Sequence, residues 1–413
     1  MPARTAWRPD AGQVAGRSTA ALIAYMKEWS RSTRERVRQG DPFILTDVFV
    51  PHEIFVAMDI PFAVSGMHEW YYRELIEDPD DPVNPEPRPA PGYEVRGVCG
   101  ACGVRAPLGR LPRITAIIAS ELNCGGNEKA NQMQLRGTGI PVFRFERNVS
   151  RPYSPRYPRW WEKSTDHWDE LIEPHRLDYR VQEIKALIRF LEVHTGRTFS
   201  QSRLIEVMEL VNEQEGHWTK ARDLIANTVP CPVGFYDHLI NYIAQWHRGT
   251  PQACELAKVF YEEVKERVDK GQAVCPDEKY RLQWVKTAYY RNPKLYQFWE
   301  QSHGAVFVCS WYLSIGADGY ARNCLGDPLR ALASRHLMLG LYAGPDWDIK
   351  EAKLHKVRGA LMMGSDCPGG GVARKMTQMA YEAAGIPMFL IDPVWDEETV
   401  KAEVSHFIET RLA

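Results

Sequence analysis

Two cysteines, Cys124 and Cys367, stand in matched surroundings. Around the first the chain reads IIASELNCGG (117–126) and, after a polar stretch, GIPVF (139–143). Around the second it reads LMMGSDCPGGG (361–371) and, after a helical stretch, GIPMF (385–389). Each copy reads as an apolar strand, a loop carrying one thiol, a glycine-opened helix, and a second strand announced by Gly-Ile-Pro. That is half of a βαβ unit with a thiol at the carboxyl end of its strand, the edge where open α/β sheets bind ligands. Two such halves facing each other would place two thiols across one cleft. Thiolates are soft ligands, suited to iron–sulfur clusters or zinc. Taken singly, each cysteine would read as a small buried hydrophobe; the matched placement is what points to a shared ligand role.

The other thiols are weaker candidates. Cys99 and Cys102 form a single CxxC. It could be half a zinc site, a redox pair or one end of a cluster site; with no second CxxC, a zinc ribbon is not expected. Cys309, inside an apolar run, and Cys254, inside a helical one, are expected to pack in the core. Cys231 and Cys275 each precede a proline, and Cys324 lies in an Asn-Cys-Leu-Gly turn, so these three remain alternative ligands. The glycines Gly369, Gly370 and Gly371 could cradle phosphates at a helix N-terminus or let backbone approach a cluster closely; the alternative is a flexible loop. The sequence carries no GxxxxGK[ST] and no GxGxxG after a strand, hence no nucleotide site of its own. It has no HExxH or GxSxG either.

These residues must be positioned by a large chain. At 413 residues there is room for two or three domains. Hydrophobic residues make up 44% and charged ones 25%, as in ordinary globular proteins. The formal net charge of −2 gives no basis for a nucleic-acid or membrane-surface partner. No run of about 18 apolar residues suggests a membrane span, and Met1–Gln39 lacks the pattern of a signal peptide. Nine cysteines, an odd number in a long chain, are not a disulfide framework; a reducing cytoplasm is expected.

The periodicity predicts a polar-basic helix over 18–38 and a short helix within 51–61, stopped by Pro61 and leading into a strand at 62–64. Residues 79–91 hold six prolines and must be a loop. Strands are expected at 114–119 and 141–145, with a long surface or interface loop at 148–162, rich in Pro, Arg, Tyr and Trp. From Tyr179 the spacing turns helical: one helix ends at Gly196, a second carries Leu204 to Val211, and others cover 235–247 and 252–268. Strands return at 305–311, 359–363 and 388–391, and a last helix runs over 396–410. The expected fold is therefore α/β: two Rossmann-like domains with parallel sheets and an intervening helical block. The boundaries read as 1–40 (helical extension), 41–175 (first α/β domain), 176–272 (helical region) and 273–413 (second α/β domain).

Several segments in series carry a resemblance. VPHEIFVAMDIP (50–61), CGVRAPLG (102–109), the strand and loop of Cys124, EIKALIRFLEVHTGR (183–197), KYRLQW (279–284), GDPLRALA (326–333) and the segment from Gly359 to Cys367 together resemble the 2-hydroxyacyl-CoA dehydratase and benzoyl-CoA reductase superfamily. The resemblance implies a four-iron, four-sulfur cluster between the two Rossmann-like domains, held by Cys102, Cys124 and Cys367, with Cys99 competing for the place of Cys102. It implies an enzyme subunit acting on an acyl-CoA thioester, beside a homologous second subunit and a separate ATP-hydrolysing iron–sulfur activator. The missing nucleotide motif agrees with that division. Two reactions follow from it: reduction of an aromatic acyl-CoA, which the aromatic stretch at 153–168 and the AMDIP and KYRLQW segments favour, or elimination of water from a 2-hydroxyacyl-CoA. A cluster-holding or electron-transfer protein without catalysis is the remaining alternative, and a structural zinc protein a further one.

Overall fold

A computed structural model describes residues 16–64, 84, 111–120, 135–146, 159–286, 288–289, 292, 295–342, 344–364, 368–392 and 395–412. In chain order the elements are α1 (Arg17–Arg38), β1 (Ile44–Thr46), α2 (Glu53–Ala57), β2 (Phe62–Val64), β3 (Ala116–Ser120) and β4 (Val142–Phe145). The helical block follows: α3 (Pro174–Thr195), α4 (Gln201–Asn227), α5 (Phe235–Asn241) and α6 (Pro251–Asp269). Then come β5 (Tyr280–Val285), α7 (Leu295–His303), β6 (Ala305–Ser310), α8 (Trp311–Asp318), α9 (Pro328–Tyr342), α10 (Pro345–Leu354), β7 (Gly359–Met363), α11 (Pro368–Ala383), β8 (Met388–Ile391) and α12 (Glu397–Phe407).

Local chemistry sets the helix ends. Gly196 closes α3 in the left-handed region at φ 69°, which glycine adopts without a Cβ penalty. Ser200 and Asp396 cap α4 and α12, accepting from the Arg203 and Thr399 amides at 3.3 and 2.8 Å. Gly139 and Gly385, at φ 72° and 79°, turn the chain into β4 and β8; these are the two Gly-Ile-Pro signals.

All strand pairs are parallel, and the two four-stranded sheets share one order: β2-β1-β3-β4 and β6-β5-β7-β8. β1, β2, β3 and β6 are buried at every residue, as strands covered on both faces must be. The expected pair of Rossmann-like α/β units is thus present. Both central first strands, β1 and β5, go unread in the sequence. β1 is three residues long. β5 alternates Arg281 and Gln283 with apolar residues and so imitates a half-exposed strand, yet both polar side chains are buried. Arg281 Nε donates to His355 O at 2.7 Å and its Nη2 to Ile225 O at 3.0 Å, while Gln283 accepts from Tyr381 Oη at 2.8 Å.

The Trp-rich stretch also departs from expectation. Its described part, from Arg159 onward, is not a surface loop: Trp160 is buried and stacks on Trp347 with centroids 5.3 Å apart. Trp168 is buried and donates to Asn323 O at 2.6 Å. These rings serve the chain's own core. Cys254 and Cys309 are buried, as expected.

The helical block packs tightly against the second unit at α8. Trp218 of α4 donates to Leu313 O at 2.9 Å, and a Cβ at Gly316 would stand 2.5 Å from its Nε1. Gly316→Ala is therefore expected to destabilise the fold by about 1–3 kcal/mol, read as a lower urea midpoint; an unchanged midpoint would show that α8 can retreat freely.

Candidate functional site at the carboxyl edges of the two sheets

Cys99, Cys102, Cys124 and Cys367 lie outside the described residues, but the strands that launch two of them are defined. β3 ends at Ser120 and β7 at Met363, so Cys124 and Cys367 each stand four residues past their strand. Four residues reach at most about 14 Å. β3 and β7 hold the same third place in the two sheet orders, next to the switch from leftward to rightward strand addition, where doubly wound sheets open their ligand crevice. Gly369, Gly370 and Gly371 form the first turn of α11, directly after Cys367, so this run is helix rather than loop.

Helix α9 ties the two carboxyl edges together. At its middle, His336 Nε2 lies 3.5 Å from Ser120 Oγ, the last residue of β3, and its ring meets Phe145 of β4 edge-on at 4.7 Å. At its end, Tyr342 O accepts from Lys286, one residue beyond β5, at 3.1 Å. Six residues separate these contacts, about 9 Å of helix. The carboxyl edges of both sheets therefore border one region.

Each crevice has a charge one residue beyond its first strand. In the first, the Asp47 carboxylate accepts from Ser120 N at 2.7 Å and Phe49 N at 2.8 Å, pinning β1 to β3. In the second, Lys286 pairs with Asp348 of α10. Burial pushes the Asp348 carboxyl up to about 6, with Lys286 opposing the rise.

Behind the first crevice lies a buried ionic cluster. Arg248 Nε donates to Glu53 Oε1 at 2.8 Å and Arg335 Nη2 to Glu53 Oε2 at 3.2 Å. The two guanidinium groups flank the Tyr320 ring at 4.7 and 5.2 Å. Burial alone would raise the Glu53 carboxyl, but the two arginines hold it down at about 2. His52 accepts from Arg248 through Nδ1 at 3.1 Å and donates from Nε2 to Asp47 O at 2.8 Å. Burial and then Arg248 hold it well below the ordinary imidazole range, so it stays neutral. His336 is neutral for the same first reason, with Arg180 next. Two arginines thus face one carboxylate, and Nε and Nη1 of Arg335 have no hydrogen-bond partner. Burial lowers Arg335 to about 10, so it remains a cation at neutral pH.

None of Asp47, His52, Glu53, Arg248, Arg335 and His336 is among the sequence candidates. Only His52 and Glu53 left a trace, as members of the 50–61 segment that carries part of the resemblance. The implied cluster fits what is described. Cys124 and Cys367 would be soft donors four residues beyond equivalent strands. Among the described residues no metal-ligating group contains two cysteines. Cys231, Cys275 and Cys324 are apart: Cys231 donates to Val233 O, Cys275 to Glu300 O, and Cys324 lies 3.9 Å from Met208 Sδ. Among the described residues no helix is long and apolar enough to cross a membrane.

A family model described as 2-hydroxyglutaryl-CoA dehydratase, D-component, matches residues 47–410. The alpha subunit of (R)-2-hydroxyisocaproyl-CoA dehydratase from Clostridioides difficile is 25% identical over 181 residues, 42% of this chain and 43% of that one. The alpha subunit of (R)-phenyllactyl-CoA dehydratase from Clostridium sporogenes is 27% identical over 117 residues, 28% of each chain. The matches thus span less than half the length of these curated relatives.

Proposed function

Because the chain belongs to the 2-hydroxyglutaryl-CoA dehydratase D-component family, we propose that it is a subunit of an enzyme that eliminates water from a 2-hydroxyacyl-CoA. The family match over 47–410 carries this reading. Both relatives are named dehydratase alpha subunits, which supports dehydration over the ring reduction expected from the sequence and supports a partner subunit. The burial of Trp160 and Trp168 against the chain's own helices removes part of the ground for the ring-reducing reading.

Cys124, Cys367 and Cys102 (or Cys99) would hold the cluster. When bound, a four-iron, four-sulfur cluster supplies a low-potential electron and a Lewis-acidic iron. The chain's own residues bind, orient and screen. Arg335 keeps a fixed positive charge buried beside Glu53, which favours negative charge that develops nearby. Glu53 stays ionised and locked between two arginines, so it holds Arg335 in place rather than exchanging protons. His52 and His336 stay neutral and add no second cation.

The test is anaerobic assay of the chain with its homologous subunit, an ATP-hydrolysing iron–sulfur activator and ATP. Enoyl-CoA should form from 2-hydroxyisocaproyl-CoA or phenyllactyl-CoA, with no consumption of benzoyl-CoA. Benzoyl-CoA reduction without dehydration would reverse the assignment. Full dehydration by the chain without a second subunit would sink the partner requirement.

A further inference from the structure

We propose that the second α/β unit holds a divalent-metal site of zinc type, separate from the cysteine loops, formed by Cys309, Glu351 and His355. The ligating atoms of the three side chains lie within 4.8 Å of one another. All three residues are fully buried, at 0% exposure. Glu351 lies on α10 and His355, four residues on, is its C-cap, and Cys309 lies on β6.

The hydrogen bonding is that of a prepared ligand set. His355 Nδ1 donates to Glu351 O at 2.9 Å, which fixes the tautomer and leaves Nε2 as a lone pair. That Nε2 is buried without a hydrogen-bond partner. Metal-ligating imidazoles characteristically give their other nitrogen to a carbonyl in this way. Glu351 Oε1 accepts from Arg222 Nη1 at 2.9 Å and from Lys350, while Oε2 is buried without a hydrogen-bond partner. Two buried acceptors without donors are costly, and a cation held by this group would compensate them; the ring's Nδ1 lies 3.8 Å from Oε2. One thiolate, one imidazole and one carboxylate form a borderline-soft set that suits zinc. Burial, and then the charges of Glu351 and Asp348, push the Cys309 thiol well above its ordinary range; a bound dication would reverse that balance by binding the thiolate. β6 is two strand positions from β7 in the sheet order, about 10 Å, and Cys309 lies level with Ala360 rather than with the end of β7. Arg222 also pairs with Asp318 at 2.8 Å, linking the site to the end of α8.

The experiment uses the full chain, dialysed against zinc and then against zinc-free buffer, with metal content and zinc-edge X-ray absorption as readouts. About one zinc per chain is expected, with one sulfur at about 2.3 Å and nitrogen or oxygen neighbours at about 2.0–2.1 Å. His355→Gln and Cys309→Ser should each lose that zinc, whereas the Cys124→Ala, Cys367→Ala double variant should keep it. Failure of the unaltered chain to retain zinc, or a zinc surrounded only by sulfur, overturns the proposal without any variant having to fold. Retention of the same zinc in His355→Gln overturns it as well.

Discussion

Anaerobically prepared protein carrying Cys124→Ala or Cys367→Ala is expected to lose most of its bound iron and acid-labile sulfide, and with them all dehydration. Each cysteine follows the third strand of its sheet by the same four residues, and α9 touches the end of β3 in one sheet and the residue after β5 in the other. A cluster sharing both thiolates cannot keep its place when one is removed, and among the described residues no candidate ligand group holds two thiols. Cys102→Ala should behave alike and Cys99→Ala should retain iron; equal loss in Cys99→Ala would make Cys99 the ligand. Iron, sulfide and the broad visible absorption are the measurements. Full iron in either of the first two variants would remove the paired-loop assignment, whatever the turnover.

Glu53→Gln is expected to cost about 3–5 kcal/mol of folding stability near neutral pH. The substitution leaves Arg248 and Arg335 on either side of Tyr320 without their counter-charge, in a site at 1% exposure or less, and an uncompensated buried charge costs that much. The pH dependence follows from the carboxyl's depressed value. Between 4.5 for an ordinary glutamate and about 2 here, the ionised form contributes about 3 kcal/mol. Because the folded value is depressed, this contribution is complete above pH 4.5 and is lost as pH falls through about 2. Urea unfolding of parent and variant should therefore show a wide gap at pH 7 that narrows steadily below pH 4.5. Equal midpoints at pH 7 would mean that the arginines find other partners.

Much of this architecture could be read from residue order, and the exceptions share a cause. Helices with clear periodicity and a stop signal, such as α3 with Gly196, were legible. So were β7 and β8, whose apolar runs are bounded by turns. The repeated Gly-Ile-Pro announced both last strands. The first central strand of each sheet, β1 and β5, was not legible. β1 is too short to show a period, and β5 hides buried Arg281 and Gln283 whose partners come from residues 225, 355 and 381. The charged cluster was hidden for the same reason: Glu53 meets arginines 195 and 282 positions away, and no local pattern encodes such a meeting. Tryptophan content suggested an interface, but Trp160 finds its stacking partner in Trp347 of the same chain.

Helix α9 has a mechanical consequence. It touches the carboxyl edge of one sheet through His336 and of the other through the Tyr342 carbonyl, and nearly all of its residues are buried. A rod held at its middle and at its end acts as a strut over that half. The gap between the two edges cannot widen like a clamshell without shearing one clamp, so a hinge motion between the α/β units is not a route for traffic in and out.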